Sequence, residues 1–160
     1  MKAFIASLQL LVSALSAKCM SFFSPYPLPG ANEQEVVVRM GEPANRYRDG
    51  SQTLLEYPGG HFGQQTFMAR MGPDGRMISL EQVRTLEKFG TVKVGQASKD
   101  DVLRNVGTPS ETSWLPLPQQ EVWSYRYREN NVWDSMMHIH FDQDGVVRKI
   151  ENGRDPLYEG

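Results

Sequence analysis

Lys99-Asp-Asp-Val-Leu-Arg-Asn-Val-Gly107-Thr-Pro109 decides the fold, because Glu33-Gln-Glu-Val-Val-Val-Arg-Met-Gly41-Glu-Pro43 has already stated it once, at an offset of 66 residues. Val36, Val37 and Met40 stand in register with Val102, Leu103 and Val106, and both sets put an apolar stripe on one face of a short helix. Asn32 with Glu35, and Ser98 with Asp101, have the spacing of a capping box. Gly41 and Gly107 stand where a left-handed C-cap is wanted, and Pro43 and Pro109 block continuation.

The correspondence extends along the chain in one order. Leu54-Leu-Glu-Tyr57 parallels Val122-Trp-Ser-Tyr125, and Met71-Gly-Pro-Asp-Gly75 parallels Phe141-Asp-Gln-Asp-Gly145, with offsets of 68 and 70. Self-similarity of this kind marks tandem structural units. After each helix come strands. Glu121 to Arg128 alternates, with Trp123, Tyr125 and Tyr127 on one face and Val122, Ser124, Arg126 and Arg128 on the other. Trp133, Ser135, Met137, Ile139 and Phe141 share one face of the next strand, opposite Met136, His138 and His140. Asp49-Gly50, Asp74-Gly75 and Asp144-Gly145 are hairpin signals. Leu86, Phe89 and Val92 predict an extra short helix at the start of the second unit.

The expected fold is therefore α+β: two tandem repeats, each a short helix or helix pair on a three- to four-stranded antiparallel sheet. The units are read as 31–84, a degenerate copy, and 85–155, followed by a tail at 156–160. Whether the units share one sheet is left open.

The composition bounds the function. The 160 residues carry 19 acidic and 17 basic side chains, a formal charge of −2, so the basic excess of a nucleic-acid binder is missing and no such partner is expected. A single cysteine excludes a disulfide scaffold and any multi-cysteine metal site.

Residues 1–18 read as a signal peptide. Met1-Lys2 is followed by the uncharged run Ala3 to Leu15 and then by small residues Ser16 and Ala17. The alternative is an N-terminal core helix, although only Gln9 interrupts the apolar run. Cys19 follows directly. It is a candidate lipid attachment site, and Lys18 stands where a lipobox has a small residue. Cleavage by the ordinary signal peptidase, and a free or intermolecularly bonded thiol, are the other two readings of this region. Residues 19–30, with Pro25, Pro27 and Pro29, predict a semi-rigid tether or a poorly ordered terminus.

The motif Val94 to Pro109, with Val122-Trp-Ser-Tyr125 and Phe141-Asp-Gln-Asp-Gly145-Val-Val, resembles the SmpA/OmlA (BamE) family of small outer-membrane lipoproteins of Gram-negative bacteria. The resemblance covers about 85–155. The tandem form is similar to the beta-lactamase inhibitor proteins, whose two repeats form one concave sheet. The resemblance implies export to the periplasm, a lipid anchor in the outer membrane, and an envelope protein as partner. The work implied is non-catalytic, in outer-membrane protein assembly or envelope integrity. A soluble inhibitor-like binder and a metal-binding periplasmic protein are the alternatives.

Candidate partner contacts are Trp114 and Leu115, read as part of a proline-rich loop, and Arg126 and Arg128, on the face opposite the aromatics. Trp123, Tyr125 and Tyr127 are either core under the helix or a binding surface. No catalytic residues and no cofactor are expected. Gly-x-Ser-x-Gly is absent, and the glycines at 59, 60 and 63 lack the Lys-Ser/Thr of a phosphate loop. Asp142-Gln-Asp-Gly145 lacks the distal glutamate of a calcium loop and reads as a turn. His138 and His140, spaced i, i+2, are weak metal candidates, with His61 or Asp142 as a further ligand.

Overall fold

The structure, a computed structural model, describes residues 25–158; the predicted signal segment and Cys19 lie outside the described residues. It is α+β, with two repeat-like halves. The first half runs α1 (Glu33–Met40), β1 (Asn45–Asp49), β2 (Gln52–Gly59), β3 (Gln65–Met71) and β4 (Met77–Gln82). The second runs α2 (Leu86–Gly90), α3 (Lys99–Val106), β5 (Glu111–Leu115), β6 (Gln120–Glu129), β7 (Trp133–Phe141) and β8 (Val147–Arg154). The halves do not share a sheet: β1-β2-β3-β4 and β5-β6-β7-β8 are separate antiparallel meanders.

Local chemistry sets the helix ends as the spacing predicts. Asn32 Oδ1 accepts from the Glu35 amide at 2.9 Å, and Glu35 Oε2 accepts from the Asn32 amide at 2.9 Å. Ser98 and Asp101 repeat the exchange at 3.2 and 2.9 Å. Each such cap contributes about 1 kcal/mol. Gly41 and Gly107 end their helices, but not in the predicted left-handed helical conformation. Their φ of 85° and 80° pairs with ψ of −175° and −165°, an extended mirror region open in practice to glycine alone. Each half also bulges at one place, between Arg70 and Met71 and between His140 and Phe141.

The sheets stack through helices. Val36 of α1 packs with Leu55, Tyr57, Ala69 and Met71 on one face of the first sheet. Phe89, Val102 and Val106 pack on Trp123, Tyr125, Tyr127, Met137, Ile139 and Phe141 of the second. Trp123, Tyr125 and Tyr127 are thus core. Phe89 meets Tyr125 and Tyr127 edge-on at 5.6 and 5.2 Å, which adds quadrupole attraction to burial. The remaining face of the first sheet, with Leu54 and Met68, lies towards the second half: α3 contacts β1, and Lys88 of α2 pairs with Glu81 of β4 at 2.6 Å. The order of layers is α1, first sheet, α2 with α3, second sheet.

Ahead of α1, Pro27 is buried, the Tyr26 ring lies 5.2 Å from Phe67, and Gly30 N donates to Met77 O at 2.7 Å. The end of the proline-rich stretch therefore packs against the first half. No helix among the described residues is long and apolar enough to cross a membrane.

Candidate functional site

The halves are joined by a polar lock. Glu56 of β2 is fully buried, and its carboxylate accepts from Thr108 N at 2.7 Å, Thr108 Oγ1 at 2.9 Å, Asn45 Nδ2 at 2.9 Å and Tyr47 OH at 2.6 Å. Arg84, also buried, donates to Thr108 O at 2.5 Å, Ser110 Oγ at 3.0 Å and Gly63 O, and lies 5.6 Å from the centre of the Tyr125 ring. Burial lowers the Arg84 pKa from its ordinary value, with the Glu56 carboxylate among the groups opposing it. Burial and the bond to Glu56 push the Tyr47 phenol up. A buried cluster of this kind fixes one relative placement of the halves, because any other leaves charges and donors unmet.

With the halves fixed, the sequence-predicted contacts sort into two kinds. Trp114 is not in a loop. It lies on β5, paired with Glu121 of β6, and Leu115 ends that strand opposite Gln120. All of β5 is exposed. Beyond it Leu117 is 88 % exposed in the β5–β6 turn, so Trp114, Leu115 and Leu117 form an apolar tip on an edge strand. Arg126 and Arg128 are engaged within the chain. Arg126 Nε lies 3.2 Å from Asp155 Oδ2 and Arg126 Nη2 lies 3.7 Å from Glu111, while Arg128 pairs with Asp134 at 3.7 Å and donates to Val132 O at 3.1 Å. The Arg126–Asp155 approach is close enough for a hydrogen bond but too oblique, and both atoms are buried without one.

His138 shares a 2.8 Å hydrogen bond with Ser124 Oγ, and His140 Nε2 lies 2.9 Å from Glu151. Burial, then the neighbouring His140, lowers the His138 pKa. Among the described residues, no group of three or more His, Cys, Asp or Glu side chains is placed to hold a metal ion.

A second feature went unforeseen in the sequence. A groove of about 710 Å³ opens at the far end of β6 and β7, lined by Glu129, Trp133, Asp134, Ser135, Asn152, Gly153, Arg154, Asp155 and Tyr158. Trp133 is 68 % exposed and Tyr158 41 %. Trp133 occupies the helix-facing side of β7, as the alternation predicts, yet it remains open to solvent at the strand's end. The first half supports this groove. Phe62 packs edge-on against Tyr158 at 6.1 Å, and Gln64 Nε2 donates to Asp134 Oδ1 at 2.6 Å. Burial and the Glu129 charge push the Tyr127 phenol, which donates to Asn152 Oδ1, up to about 12. The tip and the groove lie at opposite ends of β6, roughly 30 Å apart along the strand.

Residues 81–151 match the family model described as the outer membrane protein assembly factor BamE domain. The match begins at the end of β4, takes in α2, α3 and β5 to β7, and stops within β8. It covers less than half of the chain and leaves the first half unmatched. No curated protein matches the chain. Among solved structures, the chain is similar to the crystal structure of a DUF4309 family protein, YjgB, from Bacillus subtilis: 13 % identity, covering 78 % of this chain and 79 % of that one, with a TM-score of 0.34.

Proposed function

We propose that this chain is a non-catalytic protein of the bacterial cell envelope that acts by binding another protein, in outer-membrane protein assembly or in envelope integrity. The observation that carries this reading is the match of residues 81–151 to the assembly factor domain. The contact surface is the exposed tip of Trp114, Leu115 and Leu117, where the tryptophan is the hot-spot anchor and the two leucines extend the apolar surface around it. Arg126 and Arg128, already paired inside the chain, are not partner contacts in this reading.

The experiment is complementation in the native host. Removing the gene is expected to lower the amount of folded outer-membrane barrel proteins and to raise envelope permeability, and the wild-type chain to restore both. The double substitution Trp114→Asp with Leu117→Asp is expected to melt as the wild type does yet fail to complement, since a lost hot spot costs about 2 kcal/mol or more of binding. Complementation by a folded double variant would remove the tip from the mechanism. Unchanged barrel proteins after gene removal would remove the assembly role.

The anchor in this reading is a diacylated Cys19. Intact mass of the mature protein from host membranes is expected to correspond to a chain beginning at Cys19 with acyl chains attached. An unmodified chain beginning at Ala17 or Lys18 in the soluble fraction would favour a soluble inhibitor-like binder instead.

A further inference from the structure

We propose that the groove between β7, β8 and the C-terminal turn binds a neutral saccharide of one or two pyranose rings. Three observations carry it. First, the groove has aromatic walls with open faces, Trp133 and Tyr158, and Tyr158 is held in place by Phe62 of the other half. An exposed indole and phenol offer flat apolar surface to the C–H face of a sugar ring, and their polar ends stay wet.

Second, the rim presents both acceptors and donors that are not used up. Glu129 takes Ser135 Oγ and Asn152 Nδ2 on Oε2, which leaves Oε1 open. Asp134 receives Gln64 on Oδ1, which leaves Oδ2 open. One N–H of the Asn152 amide is unspent, and the Arg154 guanidinium has no partner among the described residues. Hydroxyl groups, each a donor and an acceptor, match such a mixed set.

Third, the charges nearly cancel. Asp155 stands beside Arg126 and Asp134 beside Arg128, so Glu129 and Arg154 remain to offset each other. A polyanion would meet the carboxylates, and a polycation would meet Arg154 while finding Asp134 and Asp155 already accompanied. A neutral polyhydroxyl ligand meets neither obstacle. The volume of about 710 Å³ lies inside the roughly 300–1,000 Å³ typical of small-ligand sites.

The test is calorimetric titration of the full chain with N,N′-diacetylchitobiose, with cellobiose and with a lysine-rich decapeptide. Saturable binding of either disaccharide is expected, and the preferred one tells whether N-acetylated or plain rings are the natural ligand. Trp133→Ala is expected to weaken it about tenfold or more, by removing one platform. Phe62→Ala, which leaves every groove residue in place but frees Tyr158, is expected to weaken it about threefold while Val94→Ala changes nothing. Absence of saturable binding by both sugars at up to about 1 mM would overturn the proposal. So would tight binding of the decapeptide alone, or sugar binding that survives Trp133→Ala in a protein that still folds.

Discussion

Replacing Glu56 with alanine is expected to lower the stability of the whole chain by about 3–5 kcal/mol, the cost of breaking a buried, fully bonded charge site. The carboxylate is fully buried and receives four hydrogen bonds, from Asn45, from Tyr47 and twice from Thr108. Removing it strands those donors and withdraws a negative charge that steadies the buried Arg84 guanidinium. Urea unfolding followed by tryptophan fluorescence is the measurement, and a fall in Tm of roughly 10–15 °C should accompany it. Glu56→Gln keeps the shape but turns an amide N–H towards donors, so its cost should be lower yet still near 2 kcal/mol, about that of one unmet buried group. A loss below about 1 kcal/mol in Glu56→Ala would mean that water reaches the junction and meets those donors instead.

What the sequence reveals and what it hides differ by range of interaction. Helix ends depend on residues three or four apart, so Asn32 with Glu35 and Ser98 with Asp101 are readable and form as predicted. Strand faces depend on a period of two, so alternation puts Trp123, Tyr125 and Tyr127 on one face, and packing under α2 and α3 makes that face core rather than a binding surface. Trp114 misleads because Leu115-Pro-Leu-Pro118 reads as a loop, whereas the pairing with β6 stops just before Pro116. Alternation gives the face of Trp133 but not its exposure, which depends on where the helical layer ends above β7. Arg126 and Arg128 are on the predicted face, and their partners Asp155 and Asp134 come from other strands or from beyond the sheet. Glu56, inside Leu54-Leu-Glu-Tyr57, looks like an outward position of an alternating strand. It is buried because the second half lies across that face, a contact with no local signature. The groove likewise needs Phe62 and Gln64 from one half and Tyr158 and Asp134 from the other.

Gly107→Ala should separate the two glycines that the repeat makes look equivalent. Gly41 and Gly107 both end a helix at positive φ, 85° and 80°, so each alanine pays a backbone strain of about 1–3 kcal/mol. Their surroundings differ. A Cβ on Gly41 would meet nothing within 4 Å, whereas on Gly107 it would stand 2.5 Å from Glu56 Oε1, 3.1 Å from Glu56 Cδ and 3.2 Å from Thr66 Cγ2. The carboxylate cannot swing aside without giving up its bonds to Thr108, Asn45 and Tyr47. Gly107→Ala is therefore expected to cost about 2 kcal/mol more than Gly41→Ala, an overpacking penalty added to the same strain. The double-mutant cycle isolates the cause. In a Glu56→Ala background the clash is gone, so the extra cost of Gly107→Ala should largely vanish, with a coupling of about 2 kcal/mol. Equal losses for the two glycines, or an additive cycle, would show that the halves separate readily at this junction. A non-additive cycle would assign Gly107 two tasks that its counterpart does not share: it turns the chain out of α3, and it leaves the space that Glu56 fills.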